Sequence, residues 1–386
     1  MTSLLIPIVP SARRAEERRL PWLNGLVLAL TFGLLSGLLG WRVPPAEAEL
    51  GPEGSDLAGL QTIASGLVNP RGLKFGPDGA LYVAEAGYGG DRLVRAGLAG
   101  LPYGIGRSSR VERIALDGGA RILVRELPSV RVGDEVWGAT AVAFVGQSLF
   151  VLTAAGGRDV GDVVFDNAVL RVSPDGAVER LVDLTDYNLE QPPLARRLDI
   201  RADVEGGVPF GLTAFDGRLY ATDGNLETVT EVALDPSTGE LRGLRRLFEY
   251  PASDHVLVGL TPGLDNGLYV AEYGPFPHSP GSGKISRLTL DGERSDAWVG
   301  LSTVIDVAFG PDGAMYALEF SPGRRTPETG RLLRRALDGA VEVLAGGLNY
   351  PTALAIAPNG DVYLSESGHK SDDGTGRIVR VRVSGL

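Results

Sequence analysis

Residue types that perform acid–base chemistry are sparse in this chain of 386 residues, which contains three histidines and no cysteine. His255, His278 and His369 lie far apart and share no motif, and no G-x-S-x-G, H-E-x-x-H or P-loop sequence accompanies them. Histidine is the usual general base, so these side chains are the first catalytic candidates. Two interpretations stay open: one convergent site, or three independent surface or loop histidines.

Acidic residues recur at one fixed place, directly after an apolar run that usually contains Tyr. These strand-end acids are Glu85, Asp223, Glu272, Glu319 and Glu366, with Thr153 at the sixth place. As a ring they could hold Ca²⁺, which takes six to eight oxygen ligands. We favour a structural role, because a feature of nearly every repeat serves what every repeat needs, such as satisfying backbone N–H groups at strand ends. Calcium remains the only cofactor that the residue types suggest.

The acids end a short sequence motif that occurs six times in the chain. The copies are FGPDGALYVAE, FVGQSLFVLT, FDGRLYATD, GLDNGLYVAE, FGPDGAMYALE and APNGDVYLSE. Asp-Gly and Asn-Gly pairs such as Asp78-Gly79, Asn266-Gly267 and Asp312-Gly313 favour tight turns between antiparallel strands. Six such hairpins along one chain are typical of propellers. The sequence predicts an all-β, six-bladed β-propeller with four strands, a to d, in each blade.

The ends of the chain indicate how the ring closes. The sixth repeat has no sequence left for a fourth strand, whereas residues 60–64 precede the first strand a. We therefore expect the N-terminal strand to complete the last blade, which satisfies its edge hydrogen bonds. The propeller domain then spans residues 60–386.

The topology of a propeller separates two faces. The a–b and c–d turns form a short-turn face, and the b–c loops and blade-to-blade connections form a long-loop face. The long segments all fall on the second face, at residues 87–109, 156–167, 183–208, 274–283, 321–330 and 368–376. Long loops in compact domains are usually functional or disordered, so this face is the predicted binding surface. Neutral insertions in a tolerant scaffold are the alternative.

The residues before each strand a are expected at the mouth of the central channel. They are Arg71, Thr140, Phe210, Val258, Ile305 and Thr352, accompanied by Asn69, Asp306 and Asn349. The six positions before the strands are half apolar and contain no cluster of metal ligands, which indicates a plug or binding surface rather than a hydrolytic centre. The glycine-rich pieces at residues 87–91 and 104–106 lack the strand-to-helix setting of a phosphate site and are predicted as loops.

The N-terminal region predicts export. Four arginines precede an apolar stretch at residues 23–41 and an A-x-A pattern that ends at Ala48, so residues 1–48 are interpreted as a signal peptide and 49–59 as a flexible lead-in. A retained membrane anchor at residues 22–41 is the alternative. Residues 1–48 hold five Arg against three Glu, a net +2, so cleavage changes the charge from −11 to −13. This acidity argues against nucleic acid and anionic membrane as partners.

Two stretches resemble a known family. The opening GLVNPRGL at residues 66–73, followed by FGPDGALYVAEAG, closely resembles the opening of ScyD/ScyE family proteins, and VPFGL and LYATDG resemble that family's middle repeats. The similarity runs from about residue 60 to the C-terminus. It implies an exported, NHL-like, six-bladed propeller. The namesakes are encoded with the cyanobacterial pathway for the pigment scytonemin, and the resemblance implies no catalytic residues for this chain.

Two classes of function follow from these observations. The first is a non-enzymatic extracytoplasmic module, secreted or periplasmic, that binds a protein or a small molecule through its long-loop face. The second is a Ca²⁺-assisted hydrolase or lactonase, or a sugar dehydrogenase, since six-bladed propellers also host such enzymes. Those enzymes need non-repeated ligands that converge on the channel, and the sequence shows no clear set.

We expect export to remove residues 1–48, because the A-x-A pattern ends at Ala48. N-terminal mass analysis of the exported protein should find a chain that starts near Glu49. Recovery of the intact chain from the membrane fraction would instead support the anchor.

Overall fold

A computed structural model describes residues 59–95, 102–117, 119–155, 167–194, 206–250, 255–275, 278–321 and 326–383. The predicted signal peptide with its apolar stretch lies outside these residues, as do residues 49–58 of the predicted lead-in, 156–166 and 195–205. No helix among the described residues is long and apolar enough to cross a membrane.

The predicted fold is confirmed: six antiparallel four-stranded blades form a ring. Blade one contains β2 (Pro70–Phe75), β3 (Leu81–Glu85), β5 (Pro102–Ile114) and β6 (Ala120–Val132), with short β4 (Arg92–Arg95) and β7 (Glu135–Trp137). Blade two contains β8 (Ala139–Val145), β9 (Ser148–Thr153), β10 (Ala168–Val172) and β11 (Val178–Asp183). Blade three contains β12 (Pro209–Phe215), β13 (Arg218–Asp223), β14 (Thr228–Leu234) and β15 (Leu241–Glu249).

The second half of the ring repeats the same order. Blade four contains β16 (Leu257–Pro262), β17 (Leu268–Glu272), β18 (Gly283–Leu288) and β19 (Arg294–Leu301). Blade five contains β20 (Val304–Phe309), β21 (Met315–Glu319), β22 (Gly330–Arg335) and β23 (Val341–Leu348). Blade six contains β24 (Ala353–Ile356), β25 (Val362–Glu366), β26 (Gly376–Val381) and, from the other end of the chain, β1 (Leu60–Leu67).

The ring closes through β1, as the sequence predicted. This strand pairs antiparallel with β26, with Leu60 opposite Val381 and Leu67 opposite Gly376. The predicted closing segment at residues 60–64 was therefore correct, and the strand continues three residues further. A further bond joins blade six to blade one, because the Thr352 hydroxyl donates to the Pro70 carbonyl at 2.7 Å.

Blade one departs from the prediction. Residues 87–109 and the piece at 104–106 were expected to be loops, yet β4 and the first half of β5 lie there. Strands β5 and β6 extend past the end of β3 onto the long-loop face, where β7 pairs with β6. We call these extended parts of β5 and β6 the ribbon of blade one. Its close packing requires glycine, because a Cβ at Gly106 would lie 2.3 Å from the Gly89 carbonyl oxygen.

Contacts on the short-turn face explain why this sequence motif is repeated. In blade one Asp78 accepts from the Ala80 N–H at 3.2 Å, from the Tyr82 hydroxyl at 3.2 Å and from Arg113. A Cβ at Gly76 would meet the Tyr82 ring at 2.4 Å, so only glycine allows this contact. In blades four and five Asp265 and Asp312 likewise accept from a backbone N–H of the turn and from an arginine on strand c. The sequence therefore recurs in these three blades because an aspartate closes each of their a–b turns in a similar way.

One predicted turn is shifted by a residue. In Asn266-Gly267 the glycine was expected to take the positive φ, but Asn266 does so, at 60°. Asn266 occupies the place that Gly79 takes in blade one, directly after the aspartate of the turn. Asparagine tolerates the left-handed region, so this turn needs no glycine there.

The hydrophobic core lies between neighbouring blades. The largest cluster joins blades four, five and six, and includes the fully buried side chains of Tyr316, Phe320 and Leu364. Neighbouring a strands approach very closely near the axis, where a Cβ at Gly72 would lie 2.6 Å from Ala141 Cα. The one helix among the described residues, α1 (Leu184–Glu190), lies after blade two and is capped by the Asp183 side chain.

A chain that begins at Ser65 should be less stable than one that begins at Gly59. Removing residues 60–64 deletes four of the six paired positions between β1 and β26. We expect a loss of about 4 kcal/mol, since each net hydrogen bond contributes about 1 kcal/mol. Urea unfolding of both chains measures the difference, and equal midpoints would contradict the closure.

Candidate functional site

The central channel is narrow. Its cavity has a volume of about 30 Å³ and is lined by five of the predicted residues: Arg71, Thr140, Phe210, Asp306 and Thr352. A water needs about 10–15 Å³ measured in this way, so the cavity has room for about two waters and not for an organic ligand. Of the six positions predicted directly before a strand a, only Thr352 has that place; the other five lie within their strands.

Polar side chains of the channel are held by contacts within and between blades. Asp306 accepts from the Val307 and Leu354 N–H groups, both at 2.9 Å, and so joins blade five to blade six. Burial raises the pKa of Asp306, which Lys74 and these two backbone donors oppose. Arg71 donates to the Val136 carbonyl at 3.1 Å.

The two predicted asparagines do not line the channel cavity. Asn69 donates to the Gly87 carbonyl at 2.8 Å and to Asp372 at 2.7 Å, and it accepts from the Ser371 N–H at 3.1 Å. It thereby joins blade one to the b–c loop of blade six. Asn349 donates through its side chain to Ser367 at 3.1 Å, and its backbone N–H donates to Glu366.

Three of the strand-end acids make the same pair of contacts. Each accepts a backbone N–H from the connection that enters its blade: Glu85 from Val68 at 2.6 Å, Glu319 from Ser302 at 2.7 Å, and Glu366 from Asn349 at 2.9 Å. Each also binds the arginine opposite it on strand c, which is Arg110, Arg331 or Arg377. These carboxylates therefore fasten the strand to the incoming connection.

The other two acids vary this arrangement. Asp223 accepts from the Asn225 and Leu226 N–H groups at 2.9 and 2.8 Å. Glu272 accepts from the Tyr250 hydroxyl at 2.8 Å, from Ser286 and from Arg294. Among the described residues, no group of three His, Asp or Glu side chains could hold a metal ion.

Burial raises the pKa of three of these carboxyl groups. It raises the pKa of Glu85 to about 7, although Arg110 and the Val68 N–H oppose the change. Burial also raises the pKa of Glu319, against its bonds with Arg331 and Ser302. The pKa of Asp223 rises to about 6 from the same cause, opposed by backbone donors.

The three histidines do not meet in one site. His255 stacks on Tyr250 at a ring distance of 5.5 Å and lies 3.3 Å from Glu272. His278 packs edge-on against Tyr273. His369 lies in the blade-six loop, 3.6 Å from the buried Glu135 carboxylate.

His278 and His369 lie at opposite ends of one row of rings. The row runs through Tyr273, Phe320 and Tyr350, with successive centroids 4.9 to 6.3 Å apart. Apart from the half-buried Tyr350, these rings are buried, so the row packs the long-loop face of blades four to six.

A groove on the long-loop face offers a more open site. It lies at the junction of blades one and six, encloses about 480 Å³ and is lined by Tyr88, Gly90, Asp91, Arg131 and Asp372. Ligand sites usually have volumes of about 300–1,000 Å³. Arg131 donates to Asp372 at 2.6 Å, and Tyr88 is 53% exposed.

Sequence reasoning missed the residues of this groove. Its residues come from the glycine-rich segment at 87–91, which was predicted as a loop, from β6 and from the b–c loop of blade six. Two signals were present: Tyr88-Gly89-Gly90-Asp91 places an aromatic beside an acid, and both segments lie on the predicted binding face. No sequence pattern joins residue 131 to residue 372.

Comparison with known proteins supports the fold. No protein-family model and no curated protein matches the chain. A putative oxidoreductase (glucose dehydrogenase) from Thermus thermophilus is 18% identical, with a TM-score of 0.55 over 83% of this chain and 98% of that chain. PQQ-bound aldose sugar dehydrogenase from Streptomyces coelicolor is 16% identical, with a TM-score of 0.51 over 83% and 96%.

A third solved structure is a gluconolactonase from Xanthomonas campestris. It is 15% identical, with a TM-score of 0.50 over 83% of this chain and 89% of that chain. Together these likenesses place the chain among six-bladed propeller proteins. At such low identity they show the fold alone.

Replacing Asp223 by Asn should change how stability depends on pH. The folded pKa of about 6 exceeds the ordinary value of 3.8, so this stabilising contribution is present below pH 3.8 and is lost as the pH rises through 6. The amide cannot ionise and avoids that loss. Relative to the unmutated protein, Asp223→Asn should therefore gain about 2–3 kcal/mol between pH 4 and pH 8.

Urea unfolding at both pH values measures this change. Asp175→Asn, on an exposed turn, controls for the loss of one negative charge. Parallel stability curves for Asp223→Asn and the unmutated protein would show that Asp223 does not titrate in this range.

Proposed function

We propose that this chain is an exported, non-enzymatic propeller of the ScyD/ScyE type that binds a ligand or partner through its long-loop face. The groove between Tyr88 and Asp372 is the observation that carries the proposal. It is the size of a ligand site, and it lies on the face that holds the long segments.

The contacts of the repeated acids support a binding module over a metal enzyme. Glu85, Glu319 and Glu366 each accept a backbone N–H and an arginine, so their oxygens already serve the fold. A cation in such a ring would have to replace those bonds. The small channel cavity also leaves no room for an organic substrate at the axis.

Export supports the same function. The arginine-rich start, the apolar stretch and the A-x-A pattern favour an extracytoplasmic location. A chain without cysteine folds there without disulfide exchange.

Labelling each face through a single thiol tests the proposal. Because the chain contains no cysteine, Asp91→Cys on the long-loop face and Leu337→Cys on the short-turn face each provide one site. Leu337 is 82% exposed and forms the matched control. Each purified variant is coupled to a bulky polyethylene glycol maleimide and incubated with an envelope extract of the source cells.

Mass spectrometry then identifies what each variant retains. A species held by the unlabelled protein should be lost after labelling at residue 91 and kept after labelling at residue 337. The reverse pattern would move the binding surface to the short-turn face. Turnover of gluconolactone with Ca²⁺, or of glucose with PQQ and a dye acceptor, would contradict the non-enzymatic assignment.

A further inference from the structure

The groove at the junction of blades one and six has a wall made of backbone. Gly89 and Gly90 pass so close to the extended ribbon that a Cβ at Gly89 would lie 2.6 Å from Arg131 Cβ, and one at Gly90 would lie 2.4 Å from the Ile105 carbonyl oxygen. The Gly89 N–H also donates to Ser129 at 2.8 Å. This wall is therefore packed against β5 and β6, and glycine leaves it without a side chain.

The charged pair in the groove is held in place before any ligand arrives. Arg131 donates through Nε and Nη2 to the Tyr88 carbonyl at 3.0 and 2.8 Å, and through Nη2 to Asp372. Asp372 in turn accepts from Asn69 at 2.7 Å. Groups that are already ordered lose less freedom on binding, so these contacts favour affinity.

The polar atoms of the groove are suited to hydroxyl groups. A guanidinium has five N–H donors, and the contacts within the described residues use only Nε and Nη2 of Arg131. Each carboxylate oxygen of Asp372 can accept more than the one bond described. Asp91 adds an exposed carboxylate. A hydroxyl can donate to the carboxylates and accept from the guanidinium at the same time.

The net charge and the aromatic ring narrow the ligand class. Asp91, Asp372 and Arg131 sum to −1, which disfavours phosphates and other anions. A purely apolar ligand is disfavoured because it would leave the charged groups of Asp91, Arg131 and Asp372 without water or a partner. Tyr88 provides one exposed apolar face, against which the CH side of a ring can pack.

We infer that the groove of Tyr88, Asp91, Arg131 and Asp372 binds a neutral saccharide, with one sugar ring against Tyr88 and its hydroxyls on the Arg131–Asp372 pair. This inference rests on the proposed function of the long-loop face and names its ligand class. The saccharide lies between two blades, so it contacts both sides of the ring closure.

Isothermal titration of the mature chain with glucose, galactose, mannose, cellobiose and lactose tests the inference, with choline and inorganic phosphate as charged probes. We expect saturable binding of at least one saccharide. Tyr88→Ala should weaken it about fivefold, whereas Tyr88→Phe should stay within about twofold because the ring is kept. Asp91→Asn should weaken it about tenfold, since a bond to a charged acceptor is lost.

The control variant is Leu337→Ala, which is exposed on the opposite face and should bind as the unmutated protein does. Failure of every saccharide to bind would overturn the inference. Choline binding that Asp91→Asn weakens would also overturn it, while leaving the long-loop face as the binding surface. Saccharide binding of unchanged strength in both Tyr88→Ala and Asp91→Asn would place the sugar outside the groove and overturn the inference as well.

Discussion

Closure of the ring is the constraint on which the rest of the structure depends. A blade buries its faces against two neighbours, so an open ring would expose the faces of its first and last blades. Pairing of β1 with β26 prevents this by placing both ends of the chain in one sheet. The Thr352 hydroxyl and the Asn69 side chain add side-chain bonds at the same junction.

The strand-end acids solve a second problem of the ring. In blades one, five and six the connection that enters the blade has a backbone N–H outside the strands, and a buried glutamate accepts it. The cost is the burial of a carboxylate, which the arginine on strand c offsets. Because three blades share this demand, their acids recur with the same contacts, and that recurrence serves stability.

The features that repeat in the fold could be predicted from the sequence, whereas the features that occur once could not. Turn residues such as Asp78 recur because several a–b turns are closed by an aspartate, so blade number, strand order and closure could be predicted. The ribbon of blade one was missed because Gly104 and Gly106 resemble loop residues. They lie in a strand only because Gly89 and Gly90 pack against it. The groove was beyond reach, since Arg131 and Asp372 are 241 residues apart and meet only through closure.

The groove thus depends on the closure of the ring, the same interaction that stabilises the fold. Its arginine belongs to blade one and its aspartate to blade six, so both are in place only when the ring is closed. A ligand that contacts both sides binds the closed ring better than an open one. By linkage it must then stabilise closure by the same free energy that closure contributes to its binding. For the saccharide that we infer, binding would therefore be coupled to the resistance of the N-terminal strand to opening.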